Sequence, residues 1–390
     1  MKIALQIRWF LFLALGFGLS FPGAYGIQNT SVYGLIGISI FLAFVSRKSI
    51  SIPILFWVAI GYFGYLLGFE WLAAQNWPAF LKKVPLLLSV LLLAPPTEKE
   101  KKGFLYSVGI STIVSCLYLW VHHFLELVPS ERFLLRSYSY TFLTETLGWQ
   151  PIYTAISYSI GGLFWIHEIQ KSTMTWKRIL GSFGLGILFL TLVFLSARMA
   201  LLGFIFSSIL LIPAKKRWIY LIGLGMAGAL LLFNPILNER MTKAFSGSER
   251  YAGGNIRIEK WKAASNVFIT HWIFGVSSGK SQQKLEEEYQ KSGFQLGIEQ
   301  HYHAHQQWLQ NGVEGGLIGI AFLIFIFLAF FTISLKMEER LFLAIGLFLF
   351  LNMFTESICE RQSGMIWFCI LFLSGFVQKS DNLPTVVNKD

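Results

Sequence analysis

The residues best suited to chemistry in this chain are histidines and arginines. Four of the seven histidines, His271, His301, His303 and His305, fall in one long polar stretch. An imidazole titrates near neutrality and can take a proton from an attacking hydroxyl. His305 is followed by Gln306, then nine residues, Gly316, two residues and Gly319, at the mouth of an apolar segment. If this segment is helical, His301 and His305 share a face. The run His301-Tyr302-His303-Ala304-His305 also raises the question of a metal. It lacks the His-Glu-x-x-His pattern, and no nearby cysteine or aspartate completes a ligand set, so no metal and no other cofactor is expected. A structural role stays open for each histidine on residue type alone.

The arginines suggest an anion. Arg198 stands between two apolar runs in Ser196-Ala197-Arg198-Met199, where a charge is costly and needs a reason. It is either a topological flank or a ligand for something negative. Arg257, in Gly253-Gly254-Asn255-Ile256-Arg257, precedes a stretch of helical periodicity. A guanidinium binds phosphate in a bidentate, permanently charged way that lysine does not match. Two outward arginines could hold a lipid diphosphate. The glycines before Arg257 either let the backbone approach phosphates or make a turn. Glu356 and Glu360-Arg361 flank the last outer turn. They are either an ordinary boundary group, or Arg361 adds to the anion site and Glu356 orients the histidine. Gly275-Val276-Ser277-Ser278-Gly279-Lys280-Ser281 is not a P-loop, because three residues rather than four separate its glycines and no buried strand precedes it. Glu286-Glu287-Glu288 reads as a solvated helix face.

These residues must be positioned by apolar elements. Of 390 residues, 54% are hydrophobic and only 14% charged, against about 25% charged in soluble domains. The runs are apolar on all faces, which excludes a β-barrel. The expected fold is an all-α integral membrane protein with about 12 transmembrane helices. Spans are placed at 8–26, 31–46, 51–69, 80–96, 104–127, 151–167, 179–197, 199–214, 217–235, 312–334, 341–356 and 364–378. Residues 1–390 form one polytopic domain, and 236–311 form a large outward loop between spans nine and ten that carries part of the site. Basic clusters at Arg47-Lys48, Lys99/Lys101/Lys102, Lys171/Lys177/Arg178, Lys215-Lys216-Arg217 and Lys336/Arg340 mark the cytoplasmic side. Lys82-Lys83 fits this pattern poorly, and either snorkels outward or marks a re-entrant segment. A second outer segment, 128–150, holds Arg132 and Arg136. Ile258, Trp261, Ala264, Val267 and Phe268 predict a helix over 256–270 lying against the membrane or the bundle. The net charge of +11 is scattered through short loops, so it reflects topology, with a share for an anionic substrate, and not nucleic acid. Cys116, Cys359 and Cys369 show neither metal nor disulfide spacing. The N-terminus reads as an uncleaved first helix.

Three motifs in order resemble the O-antigen ligase and polymerase superfamily, most of all its ligases. His305-Gln306-x9-Gly316-x2-Gly319 matches the family's His-[Asn/Ser/Gln]-x9-Gly-x2-[Gly/Thr/Tyr] element. Arg198 with Leu202 matches its Arg-x3-Leu element. Arg257-x3-Trp261-x2-Ala264, followed by His271-Trp272-Ile273-Phe274-Gly275-Val276-Ser277-Ser278-Gly279, is similar to its outer-loop segment. Trp272 stands where proline is usual, and Ser277 where glycine is usual. The resemblance spans about 150–375.

The resemblance implies an inverting, metal-independent glycosyltransferase of the bacterial inner membrane, with its site on the periplasmic side. Its partners would be a glycan on undecaprenyl diphosphate, a lipid A-core or glycan hydroxyl as acceptor, and membrane lipids. His305 would deprotonate the acceptor. Arg198 and Arg257 would bind the diphosphate, making a fixed metal redundant. Gln306 would orient the histidine or a sugar. Gly316 and Gly319 would let the tenth span pack closely under the site. The first outer loop, Ile27-Gln28-Asn29-Thr30-Ser31, lacks the carboxylates that many lipid-dependent glycosyltransferases use for a divalent cation. Within the family the alternatives are a glycan polymerase or a protein O-oligosaccharyltransferase. From another class, a lipid-glycan transporter would need ionisable residues through its bundle, whereas these spans read as nearly free of charge.

Overall fold

The computed structural model describes residues 1–21, 23–45, 53–74, 76–127, 141–218 and 253–374. Among them every regular element is a helix. The helices are α1 (Lys2–Ser20), α2 (Tyr25–Val45), α3 (Ile54–Phe69), α4 (Trp77–Leu81), α5 (Glu98–Glu126), α6 (Thr141–Glu145), α7 (Pro151–Lys171), α8 (Thr175–Leu195) and α9 (Arg198–Ser208). They continue as α10 (Gly253–Thr270), α11 (Ser278–Ser292), α12 (Gln295–Glu299), α13 (Gln307–Lys336), α14 (Arg340–Asn352) and α15 (Gln362–Phe372). A π-helical turn, Glu70–Ala74, extends α3, and 3-10 stretches occupy Val84–Leu92 and Ile358–Glu360. Among the described residues, six helices are long and apolar enough to cross a membrane: Lys2–Ser20, Tyr25–Val45, Ile54–Leu72, Glu98–Glu126, Thr175–Leu195 and Gln307–Lys336. The chain is a multi-pass membrane protein. The ninth expected span, the Arg47-Lys48 cluster, Arg132 and Arg136, residues 236–252 of the outer loop and the end of the last span lie outside the described residues.

At the centre runs α7, buried without a break from Thr154 to Ile166. Its neighbours approach on small residues, as membrane helices do where water supplies no hydrophobic drive between them. Gly109 of α5 faces the Phe164 ring, Gly161 faces Thr112, and Gly184 of α8 faces Ile113. The order of α8 is antiparallel to α7, since Gly181 lies beside Ile169 and Gly162 beside Leu185. The end of α8 therefore returns to the level where α7 begins. Thr97 starts α5 with a capping box to Glu100, which satisfies two backbone donors that a helix start leaves open.

Three expectations change. Ile27–Ser31 is not a loop but part of α2, and Gln28 is fully buried, donating to the Gly18 carbonyl. The 80–96 span is not one helix: α4 ends at Leu81 and a nine-residue 3-10 stretch follows from Val84. The apolar segments are also not nearly free of charge. Arg8 is fully buried and makes a two-pronged contact with Glu100, at 2.7 and 2.8 Å. Glu70, Lys83 and Glu314 are buried as well. Each of these charges has polar partners, which a buried charge requires.

Candidate active site

The site gathers where the chain between α12 and α13 meets the chain between α14 and α15. The histidine run is not helical. His301 and His305 both adopt positive φ, 48° and 50°, so they do not share a helix face. Such a conformation is strained for a residue with a Cβ and persists where neighbours fix it. Here the Tyr302 carbonyl accepts from the Tyr289 hydroxyl, the Ala304 N–H donates to Gln310, and the His305 N–H donates to His303 Nδ1 at 3.1 Å. The His303 and His305 rings stack 4.1 Å apart. His301 turns away to Glu286 of α11, 2.7 Å from its Nδ1, while Glu287 and Glu288 meet Lys284 and Lys291 on another face of that helix.

Gln306 caps α13, its side-chain oxygen accepting from the Leu309 N–H. Gln307 joins the two connecting segments. Its N–H donates to the Met353 carbonyl, its side-chain oxygen accepts from the Cys359 N–H, and it is fully buried. Nothing in the sequence pattern singled it out.

That junction brings Glu356 to His305. One carboxylate oxygen lies 3.3 Å from His305 Nδ1, and the other accepts from Arg257 Nη2 at 3.0 Å. Glu356 is buried, while the Arg257 side chain keeps 40% of its surface exposed. Arg361 is exposed on the next turn. Residues 51 and 99 positions apart from Glu356 thus meet on it. Burial, then Lys260, Arg257 and Arg361, hold the His305 imidazole down to about 3. A carboxylate favours the charged ring, so Glu356 works against this, and burial with the three cations prevails. His303 is also held to about 3, by burial and then by His305. Burial raises the Glu356 carboxyl above its ordinary value, with Arg257 opposing.

Arg198 is the first residue of α9, directly after a left-handed Ser196 ends α8. It is exposed. Since α8 returns to the start of α7, where the Tyr153 hydroxyl donates to the Ser357 carbonyl, Arg198 lies at the same end of the bundle as Glu356.

The helix expected over 256–270 is α10, but its buried face is Lys260, Ala263, Ala264 and Val267, and Ile258 is 46% exposed. It packs on α11 and α13. Residues 272–277 run along a break in α13. Gly316 leaves helical geometry, at φ 59° and ψ −147°. There the Leu317 N–H donates to the Trp272 carbonyl, while the Val313 and Glu314 carbonyls accept from the N–H groups of Val276 and Ser277. Gly275, also at positive φ, backs directly onto Gly316, leaving no room for a Cβ on either. Gly316 is therefore both a break in the helix and a point of close packing, against residues 273–275. Ser277 has φ 72°, which gives a physical reason for glycine being usual at that place. Gly319 does pack closely, against the Asn311 carbonyl of its own helix.

The first half of the chain supports this site. Glu70 accepts from the Gly279 N–H and the Ser277 hydroxyl. The Tyr65 hydroxyl donates to the Phe274 carbonyl at 2.5 Å. Lys83 bridges Glu314 and Glu360, each at 2.9 Å, and Glu314 also accepts from Ser278 and Gln310.

Residues 183–324 match the O-antigen ligase family model. The matched segment contains Arg198, Arg257, His305, Gln306, Gly316 and Gly319, and agrees with the superfamily read from the motifs. Glu356 and Arg361 lie beyond it. A search of curated proteins finds no match. The family's activity is of the ligase or polymerase type.

Proposed function

We propose that the chain transfers a glycan from undecaprenyl diphosphate to a sugar hydroxyl of the lipid A core, with inversion and without a metal, at the periplasmic face of the inner membrane. The observation that carries this reading is the chain Arg257–Glu356–His305, which joins an anion ligand to a proton acceptor through one buried carboxylate. A neutral imidazole whose Nδ1–H donates to Glu356 leaves Nε2 free to accept. The acceptor hydroxyl gives its proton to Nε2 as its oxygen attacks the anomeric carbon. The anomeric C–O bond to the diphosphate breaks, and undecaprenyl diphosphate leaves from the opposite face. Negative charge grows on the leaving group. Arg257 and Arg198 stabilise it, with Arg361 adding to the field, and one such placed donor contributes about 2.7–4 kcal/mol in comparable sites. The arriving diphosphate offsets the three cations that hold the free imidazole down, which raises its basicity in the complex, and proton removal by a positioned base adds about 10²–10⁴-fold.

The transporter reading finds less support. The buried charges at Arg8–Glu100 and Lys83–Glu314–Glu360 are paired with one another, and a permeation path needs ionisable groups facing a cavity. A polymerase would use the same chemistry on a different acceptor. The deciding experiment is the lipopolysaccharide banding of a deletion strain complemented with wild type or His305→Ala. A ligase leaves the core uncapped while long lipid-linked glycan accumulates. A core carrying one repeat identifies a polymerase. An unchanged pattern sinks the proposal and turns attention to a protein acceptor.

A further inference from the structure

Three lysines among the described residues are buried: Lys83, Lys101 and Lys260. Lys83 has two carboxylates at 2.9 Å, and Lys101 has Glu98 at 3.0 Å. Lys260 differs. Its Nζ lies 3.3 Å above the centre of the Tyr302 ring, and no described carboxylate pairs with it. Glu356, the nearest candidate, is already committed to Arg257 and His305. A buried lysine whose closest described contact is an aromatic face, with Glu356 acting on it only at a distance, is under-compensated. It sits one helical turn from Arg257 on α10, so the two cations face the same region. Tyr302 in turn stands edge-on to His305, with ring centres 5.9 Å apart. The amine is thus one ring away from the proton acceptor.

We propose that Lys260 is a further binding residue for the donor's diphosphate, a buried cation whose counter-charge arrives with the substrate. This rests on the diphosphate reading above. Around His305 stand three cations, Arg257, Lys260 and Arg361, against the one carboxylate of Glu356. An excess of positive charge in a buried place fits an anion carrying more than one negative charge. The same geometry gives the amine a measurable response. Burial holds Lys260 down to about 7, with Arg257 pushing the same way and Glu356 opposing. The other titratable groups facing it are His303 and His305, both held neutral, and Tyr302. On α11, Glu288 is occupied by Lys291 and Asn266. Above pH 7 the free amine is largely neutral, and an arriving diphosphate draws a proton onto it.

The test uses the full chain in detergent or nanodiscs and inorganic pyrophosphate as the probe. Pyrophosphate binding is measured calorimetrically at pH 8 and pH 6, in buffers of differing ionisation enthalpy. Pyrophosphate exchanges protons itself in this range, so uptake by the amine is read as the excess of wild type over Lys260→Met: close to one proton at pH 8 and much less at pH 6. Lys260→Met is expected to lose that uptake and to bind roughly 10–100-fold more weakly, the range of a charged hydrogen bond. Lys260→Arg, permanently charged, is expected to bind at pH 8 at least as well as wild type with no such excess. It carries the test if the methionine variant does not fold. Wild-type uptake in either variant overturns the proposal. Arg257→Ala separates the two readings. If it loses binding while Lys260→Met does not, only the lysine inference fails. If neither variant changes binding, the diphosphate reading itself fails.

Discussion

The buried carboxylate of Glu356 lies 3.3 Å from His305 Nδ1. It is the one described acid in direct contact with that ring, and it also holds Arg257. In the proposed mechanism, orientation of the base and placement of an anion ligand therefore depend on one side chain. Glu356→Gln keeps the shape and removes the charge. It is expected to lower kcat by about 10²-fold, within the usual worth of a positioned base, with a smaller change in donor KM. Steady-state kinetics on a folded variant checks this, and an unchanged kcat removes Glu356 from the machinery.

The acid limb of the pH–rate profile should belong to Glu356 rather than to the imidazole. His305, held to about 3, is neutral across the working range. Glu356 is raised from 4.5 by burial, so its ionised form is lost as pH falls through a value above 4.5. The kcat/KM profile, which reports the free enzyme, should fall there and flatten in Glu356→Gln. A limb near the ordinary imidazole value would contradict this assignment.

On the alkaline side the sign reverses. Lys260 is charged below about 7 and neutral above it. The kcat/KM for donor should decline as pH rises through that value, and Lys260→Arg should extend the plateau upward. Saturating EDTA should leave both profiles unchanged, and strong inhibition would overturn the metal-free mechanism.

Arg257→Lys should lose most activity although it keeps a charge. It gives up the fork that can hold Glu356 and a phosphate together. Turnover like wild type in that variant would argue against the clamp.

Lys83 is a stability prediction. Removing one member of a buried ion group leaves the others uncompensated, at a cost of about 3–5 kcal/mol. Lys83→Met should lower the unfolding temperature clearly, and adding Glu314→Gln and Glu360→Gln should recover part of the loss. A single variant as stable as wild type would show that the bridge contributes nothing.

What the sequence made legible was what lies in short motifs. His305, Arg257 and Arg198 were found by spacing, and Glu356 by its place in the last outer turn. Glu70 and Gln307 were not, and Lys83 stood out only as a misplaced charge, because their partners lie 52 to 277 residues away and no local pattern encodes such pairing. Lys260 was hidden by the helix pattern itself. The apolar residues Ile258 and Trp261 suggested one buried face, and packing against α11 and α13 selected another, with the lysine in it. Gly316 was legible as important but not as broken backbone, since a glycine in an apolar run is ordinarily a packing surface.

Gly316 has a consequence for how the protein is made. A helix interrupted in lipid leaves backbone groups with no partner, and only protein can supply them there. Here residues 272–277 supply them: the Leu317 N–H finds Trp272, and the Val313 and Glu314 carbonyls find Val276 and Ser277. Residues 272–277 thus complete the hydrogen-bond ladder of a helix that follows them in the chain. The final form of α13 therefore depends on a segment made before it, and a substitution that displaces residues 272–277 is expected to unsettle that helix as well as the loop.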